Sequence, residues 1–322
     1  IDFYINNLPR VVDFVLGNNS EHWANSSTVI SPYTRTLYVC CNEFMLAPDG
    51  QQQYTKEHGA GVYGNDTFGQ SAFVDAGRRI IVTLGAGVTA NATAADVCHA
   101  ALARKEDYVA ELIAIAQHER LSGYMLDWEF GTGNDVQCFN DLWGYVAQAF
   151  VPHGLVMSVS VDNSNHEGPM DKNSTDPWST EWDWVGFVDW AAALVDMGTY
   201  PGSWSKGLSY PAAEFLEARP CPEYPDKQCG IKGQILDMAQ HGVNASTGQL
   251  SPGLNPSLCS ADGNATSNGW TQPALASFLS FLDDQGVRTV TLWFSNALQL
   301  YDDSFTCPWF MPTLAAWAQK DT

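Results

Sequence analysis

Short apolar runs alternate with amphipathic segments along nearly the whole of this 322-residue chain. Several runs are apolar at consecutive positions, as in Ile80-Ile81-Val82, which is typical of a parallel strand covered on both faces. Runs that are rich in β-branched residues and bounded by Gly, Pro or Asn are read as strands. Eight such strands are predicted, at 11–16, 36–41, 79–84, 121–129, 155–161, 193–200, 231–237 and 287–294.

The segments between these runs have the apolar period of helices. Residues 105–117 and 273–282 each place their apolar side chains on one stripe. Gly77, Gly154 and Gly286 each follow a helical pattern and precede a strand, where a left-handed glycine ends a helix. The repeated order of helix, glycine and strand predicts an α/β fold with parallel strands.

Eight strands joined by crossover helices close most naturally into a (β/α)8 TIM barrel. A doubly wound open sheet is the alternative, but no GxGxxG motif follows the first strand. Gly85-Ala86-Gly87 is read as a turn after the third strand rather than a phosphate cradle. Because single barrels often exceed about 250 residues, we expect one catalytic barrel domain over 1–322.

Two signals indicate a secreted protein, or one of the lysosomal lumen. The eight cysteines are even in number and lack metal-site spacing, which favours disulfides over zinc. Cys221 and Cys229 bracket a Pro-rich loop and can pair with each other, whereas Cys40 and Cys41 point to opposite faces if extended. Separately from these two signals, we expect a processed chain, because the sequence opens on Ile1 without Met or a charged-then-apolar leader. Glycosylation triplets, expected in exposed loops, occur at Asn18, Asn25, Asn65, Asn91, Asn173, Asn244 and Asn264.

The charge of the chain excludes several classes of partner. Thirty-six acidic residues against 15 Lys and Arg give a net charge of −21, which disfavours nucleic acid and anionic membranes. The same acidity is also explained by solubility alone. The sequence contains no apolar run of about 18 residues, so no membrane insertion is predicted. We also expect a monomer. The seven His show no metal spacing, and no metal or cofactor is predicted.

Two acidic residues end the fourth predicted strand. The alternation of side chains along a strand puts Met125, Asp127 and Glu129 on one face. The Cα atoms of residues two positions apart on a strand are about 6 to 7 Å from each other. One charge then raises the pKa of the other carboxyl, so that one group stays protonated and the other remains an anion. A salt-bridged pair is the alternative, but the chain has few bases. Since barrel enzymes place their chemistry at the C-terminal ends of strands, the pair is predicted to be catalytic.

This strand resembles the Asp-x-x-Asp-x-Asp-x-Glu signature of family 18 glycoside hydrolases, the chitinases and endo-β-N-acetylglucosaminidases. Ser122, Met125, Asp127 and Glu129 occupy the four positions, so the last two match and the first two do not. Other segments are similar to the family in the same order along the chain. They are 79–87 as the third strand and its turn, 37–50 as the second strand and its loop, 196–200 as the sixth strand, and Trp293 as the floor of the eighth.

The resemblance implies a substrate-assisted retaining hydrolysis, in which the substrate's own acetamido oxygen attacks the anomeric carbon. Glu129 would be the general acid and base, Asp127 would hold the 2-acetamido group, and Tyr200 would donate a hydrogen bond to the attacking oxygen. Pro201 replaces the Asp that ends the family's sixth strand, and Asp196 is expected to compensate from deeper in the barrel. The missing upstream acids remove the relay normally buried beneath Asp127.

Further side chains are predicted to bind the carbohydrate substrate, with core packing or capping as the alternative for each. Trp293 and Trp204 are predicted to stack on sugar rings. The polar residues at two strand ends would line the rim, and they are Asp162 and Asn163 after the fifth strand and Gln234 and Asp237 on the seventh.

Three functions remain open from the sequence. The first is cleavage of β-linked N-acetylglucosamine glycans, either chitin-like chains or N-glycan cores. The second is a barrel lectin that binds such glycans, which the presence of Glu129 disfavours. The third is a retaining glycosidase for a different sugar, suggested by Pro201 and Met125.

Overall fold

The structure is a computed structural model that describes residues 10–16, 34–46, 52–54, 74–75, 77–86, 92–127, 135–161, 184–196, 216–220, 228–255, 259, 270–294 and 307–321. Its strands are β1 (Val11–Leu16), β2 (Thr36–Leu46), β3 (Gln52–Tyr54), β4 (Arg79–Ala86), β5 (Gly123–Leu126), β6 (Val156–Val161), β7 (Ala193–Asp196), β8 (Arg219–Pro220), β9 (Gln228–Cys229), β10 (Leu250–Leu254) and β11 (Thr289–Phe294). Its helices are α1 (Ala94–Leu102), α2 (Lys105–His118), α3 (Val136–Phe150), α4 (Ile231–Gln240), α5 (Gln272–Asp284) and α6 (Phe310–Ala318). Short 3₁₀ turns occupy Val151–His153, Trp184–Phe187 and Gln319–Asp321.

Two compact units divide these elements. In one unit, β2, β4, β5 and β6 pair in parallel in that order, and β3 adds an antiparallel edge to β2. In the other unit, β7, β10, β11 and β1 pair in parallel in that order. Both units alternate strands with helices, so the predicted α/β class is confirmed.

Local signals set where the helices begin and end. Thr93 caps α1 in a reciprocal capping box with Asp96, which satisfies two backbone N–H groups of the first turn. The glycines predicted to end helices adopt the left-handed conformation, with φ of +75° at Gly77, +68° at Gly154 and +72° at Gly286. These positions mark the points at which the chain leaves a helix and enters a strand.

One predicted strand is wrong. Residues 231–237 lie in α4, where Ile231, Ile235 and Met238 form a buried stripe with the i, i+4, i+7 spacing of a helix. The strand of this part of the chain is β10, which was not predicted and which contains Ser251-Pro252-Gly253, residues more typical of turns. A short apolar run fits a strand and a buried helix equally well, and here the helix is the correct reading.

The other seven predicted strands are present; β1 has the predicted bounds, and the other six have changed ends. β2 continues to Leu46, five residues past its predicted end. β5 is shorter than predicted and stops at Leu126, immediately before Asp127, and β7 stops at Asp196. Residues 128–130 and 197–200 lie outside the described residues.

Disulfides join neighbouring elements, as predicted from the cysteine count. Cys98 on α1 is bonded to Cys138 on α3, and both are buried. Cys259 is bonded to Cys307, which precedes α6. The predicted pairing of Cys221 with Cys229 lies outside the described residues. None of the described helices is long and apolar enough to cross a membrane.

A partly buried ion pair connects the residue before β1 to the last two helices. Arg10 Nε donates to Asp283 Oδ1 on α5 at 2.7 Å, and Trp317 Nε1 on α6 donates to the same oxygen at 2.8 Å. The Arg10 guanidinium also lies 5.7 Å from the centroid of the Trp317 ring, within cation–π range. Burial opposes ionisation of Asp283, but the hydrogen bonds from Arg10 and Trp317 leave its pKa below the ordinary value. We name these three residues the Asp283 cluster.

Candidate active site

The direction of the β5 side chains is fixed by Tyr124. Its hydroxyl donates to the backbone carbonyl of Leu112 on α2 at 2.8 Å, and its ring lies 5.8 Å from that of Phe150 on α3. Tyr124 therefore faces the helices. Because side chains alternate along a strand, Met125 and Asp127 face the opposite side of the sheet.

Asp127 is buried at the C-terminal end of β5. Its side chain is 1% exposed, and its backbone N–H donates to the carbonyl of Leu84 on β4 at 3.0 Å. Its Oδ1 atom is buried and has no hydrogen-bond partner among the described residues. Burial raises the pKa of the Asp127 carboxyl to about 6. The group can therefore exchange a proton near neutrality, and one oxygen remains available to an incoming donor.

Hydroxyl groups flank the residue that precedes Asp127 on this face. The strand register sets Met125 beside Thr83 on β4 and Ser158 on β6, and all three side chains are at most 1% exposed. Ser122, at the first motif position, accepts a hydrogen bond from the Ile80 backbone N–H through Oγ at 3.3 Å. It therefore holds β5 to β4. Thr83 and Ser158 were not predicted as site residues, although each is a polar residue within an apolar run.

The other unit carries a second buried acid. Asp196 is fully buried at the C-terminal end of β7 and pairs in register with Pro252 on β10. Ser251 and Thr291 form a buried hydrogen bond of 2.7 Å between their hydroxyls. Because Ser251 pairs in register with Val195, alternation puts Asp196 on the opposite face from this hydroxyl pair.

The remaining predicted site residues lie on α4, in β11 or outside the described part of the chain. Gln234 and Asp237 are buried on α4, and their assignment to the end of a strand is wrong. Trp293 lies in β11 opposite Val15, and its side chain is outside the described residues. The other predicted residues lie wholly outside the described part of the chain, and they are Glu129, Tyr200, Asp162, Asn163 and Trp204.

The described residues contain one predicted glycosylation site and no candidate metal centre. Asn244 is exposed in the turn between α4 and β10, and its Oδ1 accepts hydrogen bonds from the Ser246 backbone N–H at 3.0 Å and from the Ser246 hydroxyl at 2.8 Å. In the ranges that the structure describes, no three His, Cys, Asp or Glu side chains lie together as metal ligands would. Asn18, Asn25, Asn65, Asn91, Asn173 and Asn264 lie outside those ranges.

Comparison with known sequences gives no relative for this chain. No protein-family model matches it. No curated protein matches it either.

Comparison with solved structures gives chains of similar fold. A chitinase from Chromobacterium violaceum ATCC 12472 superposes with a TM-score of 0.62 at 15% identity, over 98% of this chain and 99% of the chitinase chain. A class V chitinase from Pseudomonas fluorescens Pf-5 superposes with a TM-score of 0.62 at 11% identity, over 96% of this chain and all of the other. The Ostrinia furnacalis Group IV chitinase, solved in complex with allosamidin, superposes with a TM-score of 0.58 at 12% identity, over 88% of this chain and 91% of the chitinase chain.

These similarities establish the fold. The chain has the TIM-barrel fold of the chitinases, which confirms the fold predicted from the alternating pattern. The resemblance to chitinases drawn from the β5 motif is confirmed at the level of structure.

Proposed function

We propose that this chain, which shares the fold of chitinases, is a glycoside hydrolase that cleaves β-linked N-acetylglucosamine glycans, chitin-like chains or N-glycan cores. One observation carries the proposal. Asp127 is a buried carboxyl at the C-terminal end of a barrel strand, and its Oδ1 has no partner among the described residues. Active sites of this fold gather at that end of the strands.

The proposed reaction uses the substrate's own carbonyl oxygen as the nucleophile. Glu129 protonates the leaving oxygen and later activates water. Asp127 accepts the acetamido N–H and balances the charge of the cyclic intermediate. Tyr200 donates a hydrogen bond to the attacking oxygen. Burial supports the role of Asp127, because a charge in a site that excludes water interacts more strongly with a developing cation.

A second candidate is a retaining glycosidase for a sugar without the acetamido group. Met125 favours it, because a buried thioether lies next to Asp127 where the family has an acid. In that enzyme Asp127 would itself attack the anomeric carbon. A barrel lectin is the third candidate, and it would bind glycans without turnover.

The test combines a substrate screen with an inhibitor pair. Chito-oligosaccharides and chromogenic glycosides are incubated with the protein, and the anomer of the product is followed. We expect retention of configuration, strong inhibition by a thiazoline analogue of N-acetylglucosamine, and weaker inhibition after Asp127→Asn. A 2-fluoro glycoside that labels Asp127 would instead establish the second candidate.

Glu129→Gln separates the enzyme from the lectin. Gln keeps the shape of the side chain but cannot donate a proton at neutral pH, so turnover should fall by about 10²- to 10⁴-fold while glycan binding persists. Unchanged turnover would assign the acid to another residue, with Asp196 the next candidate. Glycan binding by a wild-type protein that turns over none of the substrates would support the lectin.

We further propose that the protein is a secreted, glycosylated monomer with one catalytic domain. The two disulfides among the described residues support an oxidising compartment. The exposed turn at Asn244 supports glycosylation there.

A further inference from the structure

Met125 is the residue that precedes Asp127 on the same face of β5. Met125 is fully buried and Asp127 is 1% exposed, so both side chains are shielded from water. A thioether accepts hydrogen bonds weakly and donates none. The side chain that precedes Asp127 on this face of β5 therefore supplies no hydrogen-bond donor to the Asp127 carboxyl group.

The neighbouring strands bring no charge to this level of the sheet. The register partners of Met125 are Thr83 on β4 and Ser158 on β6. Within the described residues of these two strands the charged side chain is Arg79, which is exposed at the start of β4. Helices α2 and α3 pack on the other face, against Tyr124. The next titratable residue along the sequence is Glu129, which lies outside the described residues.

We propose that Met125 is a positioning residue for Asp127, because its thioether withholds a hydrogen-bond donor and so reserves Oδ1 for a donor that arrives with the substrate. The inference rests on the proposed function for the identity of that donor, the N–H of an acetamido group. The physical basis of this inference is the free-energy cost of a buried oxygen that accepts no hydrogen bond. The first donor that reaches such an oxygen removes that cost. A donor at position 125 would compete with the substrate for the same oxygen.

Two matched variants test the role of Met125. Met125→Gln has nearly the same length and adds an amide N–H, whereas Met125→Leu has a similar volume and no donor. We expect the acid limb of kcat/KM to lie near pH 6 in the wild type and in Met125→Leu. In Met125→Gln the limb should move about one unit lower, because a hydrogen bond to the carboxylate favours its charged form. At pH 5 this variant should then keep about fivefold more of its plateau activity than the wild type, because about half of its carboxyl groups are ionised against about a tenth in the wild type.

A second readout needs no substrate. The carboxyl stretch of Asp127 is followed by infrared difference spectroscopy from pH 4 to 8, with Asp127→Asn as the blank. The midpoint should lie near pH 6 in the wild type and in Met125→Leu, and lower in Met125→Gln. Circular dichroism checks that each variant folds, and Met125→Thr, which supplies a hydroxyl donor, replaces Met125→Gln if that variant does not fold.

The outcomes separate the two proposals. Equal shifts in the Gln and Leu variants, or no shift in Met125→Gln, would overturn the role of Met125. A wild-type midpoint near pH 4 would do the same, since it would mean that Oδ1 already has a donor in the resting protein. If the wild type hydrolyses none of the glycosides, the proposed function fails, and the infrared titration still decides whether Met125 controls Asp127.

Discussion

Replacing Asp127 by Asn should stabilise the protein, and the gain should depend on pH. Burial raises the pKa of this carboxyl from 3.8 to about 6, so the folded protein binds the proton more tightly than the unfolded chain does. Stability from this group is therefore full below about pH 4, falls as pH rises from about 4 to about 6, and stays reduced above that. A rise of about two pKa units at about 1.4 kcal/mol per unit corresponds to about 3 kcal/mol.

The neutral amide of Asn has the shape of the carboxyl group and lacks this penalty. We expect Asp127→Asn to raise the free energy of unfolding by up to about 3 kcal/mol at pH 8 and by little at pH 4. Guanidinium denaturation of both proteins at the two pH values measures the difference. Asp284→Asn, at an exposed position at the end of α5, is the control for exchanging an acid for its amide outside a buried site. A gain that is the same at pH 4 and pH 8 would refute burial as the cause of the raised pKa.

Two other predictions concern the backbone and the surface. Gly123→Ala should lower the free energy of unfolding by about 3 kcal/mol, because a Cβ there meets the carbonyl oxygen of Val156 at a positive φ. In the same denaturation assay Gly154→Ala, which also has a positive φ but open space around it, should cost only about 1 to 2 kcal/mol, and equal losses would contradict the steric argument. Ser246→Ala should remove a glycan from the Asn244 peptide in mass spectra of secreted protein, with the melting temperature little changed, since backbone N–H groups still hold the Asn244 side chain. An unmodified wild-type peptide would exclude glycosylation at this site.

The fold was largely predictable because its strands are buried on both faces. Such strands appear in the sequence as continuous apolar runs, and Ile80-Ile81-Val82 in β4 is one of them. The failure at 231–237 has a physical reason, since the run is short and its spacing fits a helix as well as a strand. β10 was missed because Pro252 and Gly253, which normally mark turns, lie inside it.

The candidate site was predictable only in part. Alternation along the chain was enough to put Asp127 and Met125 on one face, because that property is local. The burial of Asp127 and the lack of a partner for its Oδ1 depend on the neighbouring strands β4 and β6. These strands contribute Thr83 and Ser158, the register partners of Met125, and both residues are more than 30 positions from Met125 in the sequence. A pKa set by such a surrounding cannot be derived from sequence spacing. Desolvation by burial raises the pKa of Asp127, and the additional effect expected from Glu129 stays a prediction, because Glu129 lies outside the described residues.

The pairing of β1 with β11 has a consequence for synthesis. Val11 pairs with Thr289, so this pairing forms only after about 280 further residues have been made. At about 5 to 20 residues per second, this wait lasts roughly 15 to 60 s on the ribosome. The Asp283 cluster then fastens Arg10 only after α6, which contains Trp317, has been made. The contacts that fix both Arg10 and β1 to the C-terminal elements are therefore among the last that the growing chain can make.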